Sequence, residues 1–184
     1  MIARALHCLA PAKLNLFLHI TGRRPAGYHD LQTLFQLLDF GDEMTFSPNE
    51  TGLLSLSAHG PTANTMPLDD NLILRAAQLL RATCPGTTLG ADILLDKRLP
   101  AGAGLGGGSS DAAATLVSLN QLWELGLTRE QRGAIGITLG ADVPVCFSAQ
   151  PARMRGIGEV LSPIGLVPPC PLVLVNPGVP VSAG

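Results

Sequence analysis

The chain is short of lysine, of aromatic rings and of net charge, and each shortage narrows what it can do. Of its 12 basic residues only Lys13 and Lys97 are lysine, so each raises the question of whether a compact ammonium is required there. Aromatic residues make up 4% of the sequence, which leaves Leu, Ala, Val and Ile to build the core. A formal net charge of −2 gives no basic footprint for nucleic acid or for an anionic membrane surface. Any anion the chain binds must therefore be held by local geometry. The four cysteines, Cys8, Cys84, Cys146 and Cys170, are far apart and form neither a CxxC nor a Cys/His spacing. That argues against a zinc site or a disulfide framework and for free thiols. No apolar run reaches membrane-spanning length and the amino terminus has no sustained apolar stretch, so the expectation is a soluble, cytoplasmic protein.

What is present is a globular composition, 46% hydrophobic and 14% charged over 184 residues, enough for one domain or one domain and part of a second. In "KLNLFLHIT" the period is two, which predicts a strand burying Leu14, Leu16, Leu18 and Ile20 and turning Lys13, Asn15, Phe17 and His19 outward. "LQTLFQLLDF" and "DEMTFS" read as two further strands joined by a Gly41-Asp42 turn, and "GLLSLSA" as another. A helix is predicted from Asp70 to Thr83, capped by Asp69 or Asp70, with Leu72, Ala76, Leu79 and Leu80 inward and Pro85-Gly86 as its stop. "GADILLDKRLP" reads as a strand ending at Pro100. A second helix starts at Ser109 or Ser110 and runs to about Trp123; a weaker one follows Thr128, with Gln131 in capping-box register. "DVPVCFSA" and Leu172 to Val175 read as short strands.

Between the fifth predicted strand and the second helix lies "LPAGAGLGGGSSDAAA", Leu99 to Ala114. A linker does not sit between two packed elements. Gly102, Gly104 and Gly107 satisfy the dinucleotide pattern G-x-G-x-x-G, but the region about twenty residues on, "NQLWELGLTRE", continues as helix and turn and offers no strand ending in a ribose-binding acid. The remaining reading is a phosphate cradle. Glycines let backbone N–H groups converge on an anion, and the helix that follows aims its free N–H groups and positive dipole end at the same place. There is no G-x-x-x-x-G-K-[ST], so it is not a Walker loop.

This stretch resembles the central phosphate-binding motif of the GHMP kinases, the superfamily of galactokinase and of homoserine, mevalonate and phosphomevalonate kinases. "APAKLNLFLHITGRRPAGYHDLQTLFQLLDFGD", "LGADVPVCF", "RGIGEVLSPI" and "VNPGVPVS" are similar, in the same order, to segments of the branch that acts on a cytidine-diphosphate-linked methylerythritol. The resemblance implies ATP- and Mg2+-dependent transfer of a phosphoryl group to the 2-hydroxyl of that small molecule, a step in the non-mevalonate route to isoprenoid precursors. It implies an α+β, GHMP kinase-like fold of two domains. Residues 1–150 would be the ATP-binding and catalytic domain, with a left-handed β-α-β unit, and residues 151–184 the start of an incomplete second domain.

Carried over residue by residue, the resemblance makes Asp142 in "GADVP" the catalytic base and Lys13 its partner. Read without it, Asp142 is a turn-capping aspartate and Lys13 an exposed strand lysine. Asn15, Tyr28 and His29 become substrate-binding residues: Asn15 by hydrogen bonds, Tyr28 (the only tyrosine) by stacking on cytosine and His29 at the base edge. ATP falls to Pro100, Gly102, Gly104, Leu105, Gly106, Gly107, Gly108, Ser109 and Ser110. Ser109 or Ser110 is the candidate for a metal contact. Lys97 matches a lysine near the nucleotide, although its place at a strand end gives it an alternative role. His7, His19 and His59 show no partner pattern. The family pattern continues beyond "NPGVPVS", and Ala183 stands where a threonine is expected. Binding of nucleotide and substrate without useful turnover, or action on the substrate of another small-molecule GHMP kinase, therefore stays open as an alternative. No nucleic-acid or membrane partner is expected, and the sequence does not indicate an oligomeric state.

Overall fold

The computed structural model describes residues 5–23, 29–66, 70–86, 88–147, 151–156, 160–165 and 168–176. In chain order the elements are β1 (Leu6–Arg23), β2 (His29–Asn49), β3 (Leu54–His59), α1 (Leu72–Ala82), β4 (Gly90–Asp96), α2 (Gly107–Leu122), α3 (Arg129–Leu139), β5 (Ala152–Gly156) and β6 (Val160–Pro163). They form an α+β fold, with one six-stranded sheet in the order β3-β4-β2-β5-β6 and β1 also paired to β2. β1 runs antiparallel along most of β2 (Leu6↔Phe46 through Arg23↔His29), so β4 and β5 share the other edge of β2. β3 and β4 are parallel and α1 lies between them in sequence, which makes a β-α-β unit. β5 and β6 belong to the same sheet, which thus continues across the division expected at residue 150.

α1 and α2 pack on the sheet, and the core lies between. Met44 and Phe46 of β2 and Ala91, Ile93 and Leu95 of β4 meet Ile73, Ala76, Ala77 and Leu80 of α1 and Ala112, Ala113, Leu116 and Leu119 of α2. In β4 burial alternates with period two, and the stripe Ala91, Ile93, Leu95 continues beyond the strand to Lys97 and Leu99. This alternation, set by apolar residues, carries a lysine into the interior. α1 stops short of Pro85-Gly86 as expected, but its cap is Asn71, whose side chain accepts from Ile73 N at 2.9 Å, while Asp70 pairs with Arg75. Asp69 lies outside the described residues. Leu79 is exposed because the inward stripe runs through Ile73, Ala76, Ala77 and Leu80. The Thr128–Gln131 capping box forms in both directions at the start of α3.

Four expectations are corrected. Leu16, Leu18 and Ile20 are exposed, at 44%, 47% and 64%. The pairing with β2 slips by two residues between Pro11, opposite Gly41, and Lys13, opposite Leu37, and across this bulge burial passes from Ala10 and Ala12 to Lys13. A bulge disrupts the ladder locally and re-aims the side chains that follow it. Gly41-Asp42 is not a turn: β2 passes straight through it. A Cβ on Gly41 would collide with the backbone of Ala10 and Pro11, so the glycine marks a close approach of β1 and β2. "DVPVCFSA" forms a 3₁₀ turn over Pro144–Phe147 rather than a strand, in keeping with a proline that lacks a ladder donor. Leu172 to Val175 pairs with no strand among the described residues and is exposed, so its β-forming side chains have no ladder to join.

Candidate active site

The glycine run crosses from the end of β4 to α2 with Gly102, Gly104 and Gly106 at φ +71°, +74° and +66°. A Cβ strains this left-handed region, so alternate glycines let the chain fold tightly enough to line a cavity. Gly106 is the N-cap of α2 and contributes no side chain, so the helix begins at Gly107, ahead of the expected start at Ser109 or Ser110. The first N–H groups of α2 are thus left without a side-chain partner, as an anion site requires. The cavity, about 360 Å³, is lined by the loop from Pro100 to Ser109, by Lys97 and Asp111, and on the far side by Met66 and the start of α1 from Asp70 to Ile73. Every residue expected to bind ATP lines it except Ser110, which is buried.

Lys13 joins this loop to a second group. Its backbone N–H donates to Leu105 O at 2.7 Å, and the open side of Gly106 faces its side-chain stem. Its ammonium, buried after the bulge, makes a 2.9 Å ion pair with Asp142, which remains partly exposed, and lies 3.5 Å from Asn15 Oδ1. Asp142 stands in the turn after α3, where Cys146 N donates to its carbonyl at 3.3 Å. Burial, and then the charge of Asp142, push the Cys146 thiol up to about 12, so it stays protonated at neutral pH. Lys13 and Asn15 on β1 and Asp142, more than 120 residues later in the sequence, thus converge next to the glycine loop. His29 is exposed at the start of β2, and Tyr28 lies outside the described residues.

Lys97 lines the cavity, but two buried carboxylates engage its ammonium: Asp42 Oδ2 at 2.6 Å and Asp111 Oδ2 at 2.7 Å. Burial alone would lower the pKa of Lys97, yet Asp111 and Asp42 together hold it above its ordinary value. One ammonium does not neutralise two carboxylates, and the strain falls on Asp111. Burial first, and then the charge of Asp42, push Asp111 up to about 7 against the pull of Lys97. Asp42 and Asp111 escaped the sequence reading. The period-two stripe through Ala91, Ile93 and Leu95 already carried Lys97 inward, and a buried lysine demands a carboxylate.

The profile of the GHMP kinases N terminal domain matches residues 71–150. The chain is 55% identical over 173 residues to 4-diphosphocytidyl-2-C-methyl-D-erythritol kinase of Pseudomonas syringae pv. syringae, covering 94% of this chain and 60% of that protein. It is also 55% identical over 175 residues to the kinase of the same name from Alcanivorax borkumensis, covering 94% and 57%. Among solved structures, a 4-(cytidine 5'-diphospho)-2C-methyl-D-erythritol kinase superposes with a TM-score of 0.72 at 41% identity, over 88% of this chain and 56% of that one. The homoserine kinase of Cytophaga hutchinsonii, at 17% identity and a TM-score of 0.58 over 88% and 51%, shares the fold. The chain therefore spans about 60% of the length of the curated relatives it matches. Over residues 71–150 it carries the amino-terminal domain of the GHMP kinases.

Proposed function

We propose that the chain supplies the phosphate cradle and the proton-accepting pair of an ATP-dependent kinase acting on the 2-hydroxyl of 4-diphosphocytidyl-2-C-methyl-D-erythritol, in the non-mevalonate route to isoprenoid precursors. The observation that carries this reading is the 2.9 Å Lys13–Asp142 pair beside the glycine loop. Phosphoryl transfer asks a protein mainly for positioning and charge stabilisation. The loop from Pro100 to Ser110 holds the phosphates on backbone N–H groups. Asp142 Oδ2 takes the hydroxyl proton, the hydroxyl oxygen bonds to the γ-phosphorus, and the β,γ-bridging oxygen leaves with ADP. Lys13 fixes the orientation of Asp142, and Asn15, next to it on β1, orients the acceptor. Tyr28 and His29 hold the cytosine end.

Among the described residues no group of three or more His, Cys, Asp or Glu converges as a metal cage. Mg2+ keeps water and substrate phosphates as ligands and needs few from the protein. Ser109, on the cavity wall, fits a metal contact better than the buried Ser110. When bound, the ion supplies charge neutralisation at the phosphates. No helix among the described residues is long and apolar enough to cross a membrane.

The test is incubation of this chain with ATP, Mg2+ and the cytidine-diphosphate substrate, following ADP and phosphorylated product together. An Asp142→Asn variant should lose roughly 10²- to 10⁴-fold in turnover and still bind ATP. Binding of ATP without product would assign the chain a binding role alone. An active Asp142→Asn variant would remove Asp142 from the chemistry.

A further inference from the structure

The kinase chemistry gives Asp42 no task, yet this carboxylate is fully buried and takes hydrogen bonds from three donors. Its Oδ1 accepts from Arg98 N at 2.6 Å and Leu99 N at 2.8 Å, and its Oδ2 from Lys97 Nζ at 2.6 Å. These are the last three residues before Pro100, where the glycine loop begins. Lys97 Nζ continues to Asp111 Oδ2 at 2.7 Å, and a Cβ on Gly107, the first residue of α2, would lie 3.3 Å from the same nitrogen. Asp42 thus fixes the strand end that leads into the cradle directly, and the helix that leaves it through Lys97. It does not line the cavity.

We propose that Asp42 is a positioning residue for the phosphate cradle: it sets the separation and aim of the loop and of the start of α2, and through them the affinity for a polyphosphate. This rests on the reading of the glycine run as a phosphate site. The residue type follows from the number of donors. Three donors on two oxygens require acceptors on both, which only an ionised carboxylate offers. Asparagine has the same shape, but it must aim its NH2 either at the Lys97 ammonium or at the two backbone N–H groups, and so releases one of the two attachments. An apolar residue at this point, in line with Met44 and Phe46 on the same face of β2, would be simpler to bury. The carboxylate therefore serves geometry rather than packing.

The experiment measures binding of ATP with Mg2+, and of inorganic tripolyphosphate, to wild type and to Asp42→Asn by titration calorimetry, with thermal unfolding recorded separately. Folded Asp42→Asn should bind both ligands about tenfold more weakly. A merely structural role would lower the unfolding temperature and leave the affinity of the folded protein unchanged. Binding by Asp42→Asn as tight as wild type overturns the proposal. Should the variant not fold, reciprocity supplies a test on wild type. If breaking the bonds of Asp42 weakens ATP binding, ATP must make those bonds harder to break. Amide exchange at Arg98 and Leu99 should then slow when ATP is added, and unchanged exchange at both overturns the proposal. Wild type that binds neither ATP nor tripolyphosphate overturns the cradle reading itself, and this inference with it.

Discussion

Asp111 holds an uncomfortable position. It is 1% exposed, it shares one ammonium with Asp42, and its own oxygen Oδ1 has no hydrogen-bond partner. Its pKa rises from an ordinary 3.8 in the unfolded chain to about 7 in the fold. In the interval between, the folded chain keeps a proton that the unfolded chain releases, so stability falls as pH rises through that interval and levels off above it. Below 3.8 both states are protonated and the contribution is complete. The slope is about 1.4 kcal/mol per pH unit for a single group. Asp111→Asn removes it. Urea unfolding of wild type and variant from pH 4 to pH 8 should show wild type losing ground to Asp111→Asn up to about pH 7, by a few kcal/mol at most, and a constant difference beyond. A difference that does not change with pH would mean that Asp111 is ionised throughout.

The elements divide by the range of the signal that specifies them. α3 was legible because Thr128 and Gln131 lie three residues apart and make their bonds to each other. β4 was legible because its alternation is complete within the strand. The inward face of β1 was not, because its parity depends on a bulge against β2 that no run of leucines announces. Gly41 shows the same limit from the other side. A glycine followed by aspartate is a local turn signal, but here the glycine answers to the backbone of β1, some thirty residues earlier in the chain. The site divides in the same way. The cradle could be reasoned from glycines and a following helix. Lys13 and Asp142 came only from the resemblance, since nothing in sequence links positions so far apart. Asp42 came from neither, because its donors sit at residues 97 to 99. A direct test of the strand geometry is Gly41→Ala. Its methyl group meets backbone that cannot move without parting β1 from β2. The expected cost is about 3 kcal/mol, seen as a lower urea midpoint, whereas Gly133→Ala in α3, where nothing lies within 4 Å of an added Cβ, should stabilise by about 0.5–1 kcal/mol.

At the scale of the molecule the notable feature is apolar surface. Beyond its bulge β1 turns Leu16, Leu18 and Ile20 outward, and among the described residues it pairs only with β2, so its other edge is open. Val173 and Val175 add further exposed apolar side chains, at 89% and 87%. An 18-residue strand with an open edge and leucines facing water is the kind of surface that soluble proteins usually cover or charge. The bulges of β1 interrupt the edge but leave Phe17 to Ile20 in regular register with β2. Concentration-dependent self-association through this strand is therefore expected of the chain, measured as a rise in weight-average mass by sedimentation. Ile20→Lys places a charge at the most exposed point of the stripe and should suppress that rise. It should change the unfolding free energy by no more than about 0.5 kcal/mol, because the side chain it replaces is 64% exposed and has little packing to lose. Self-association that persists in Ile20→Lys would move the contact away from β1, with the Leu172 to Val175 segment as the next surface to charge. A wild-type mass that stays at one chain across the whole concentration range would show that the bulges alone are enough to keep the open edge from pairing.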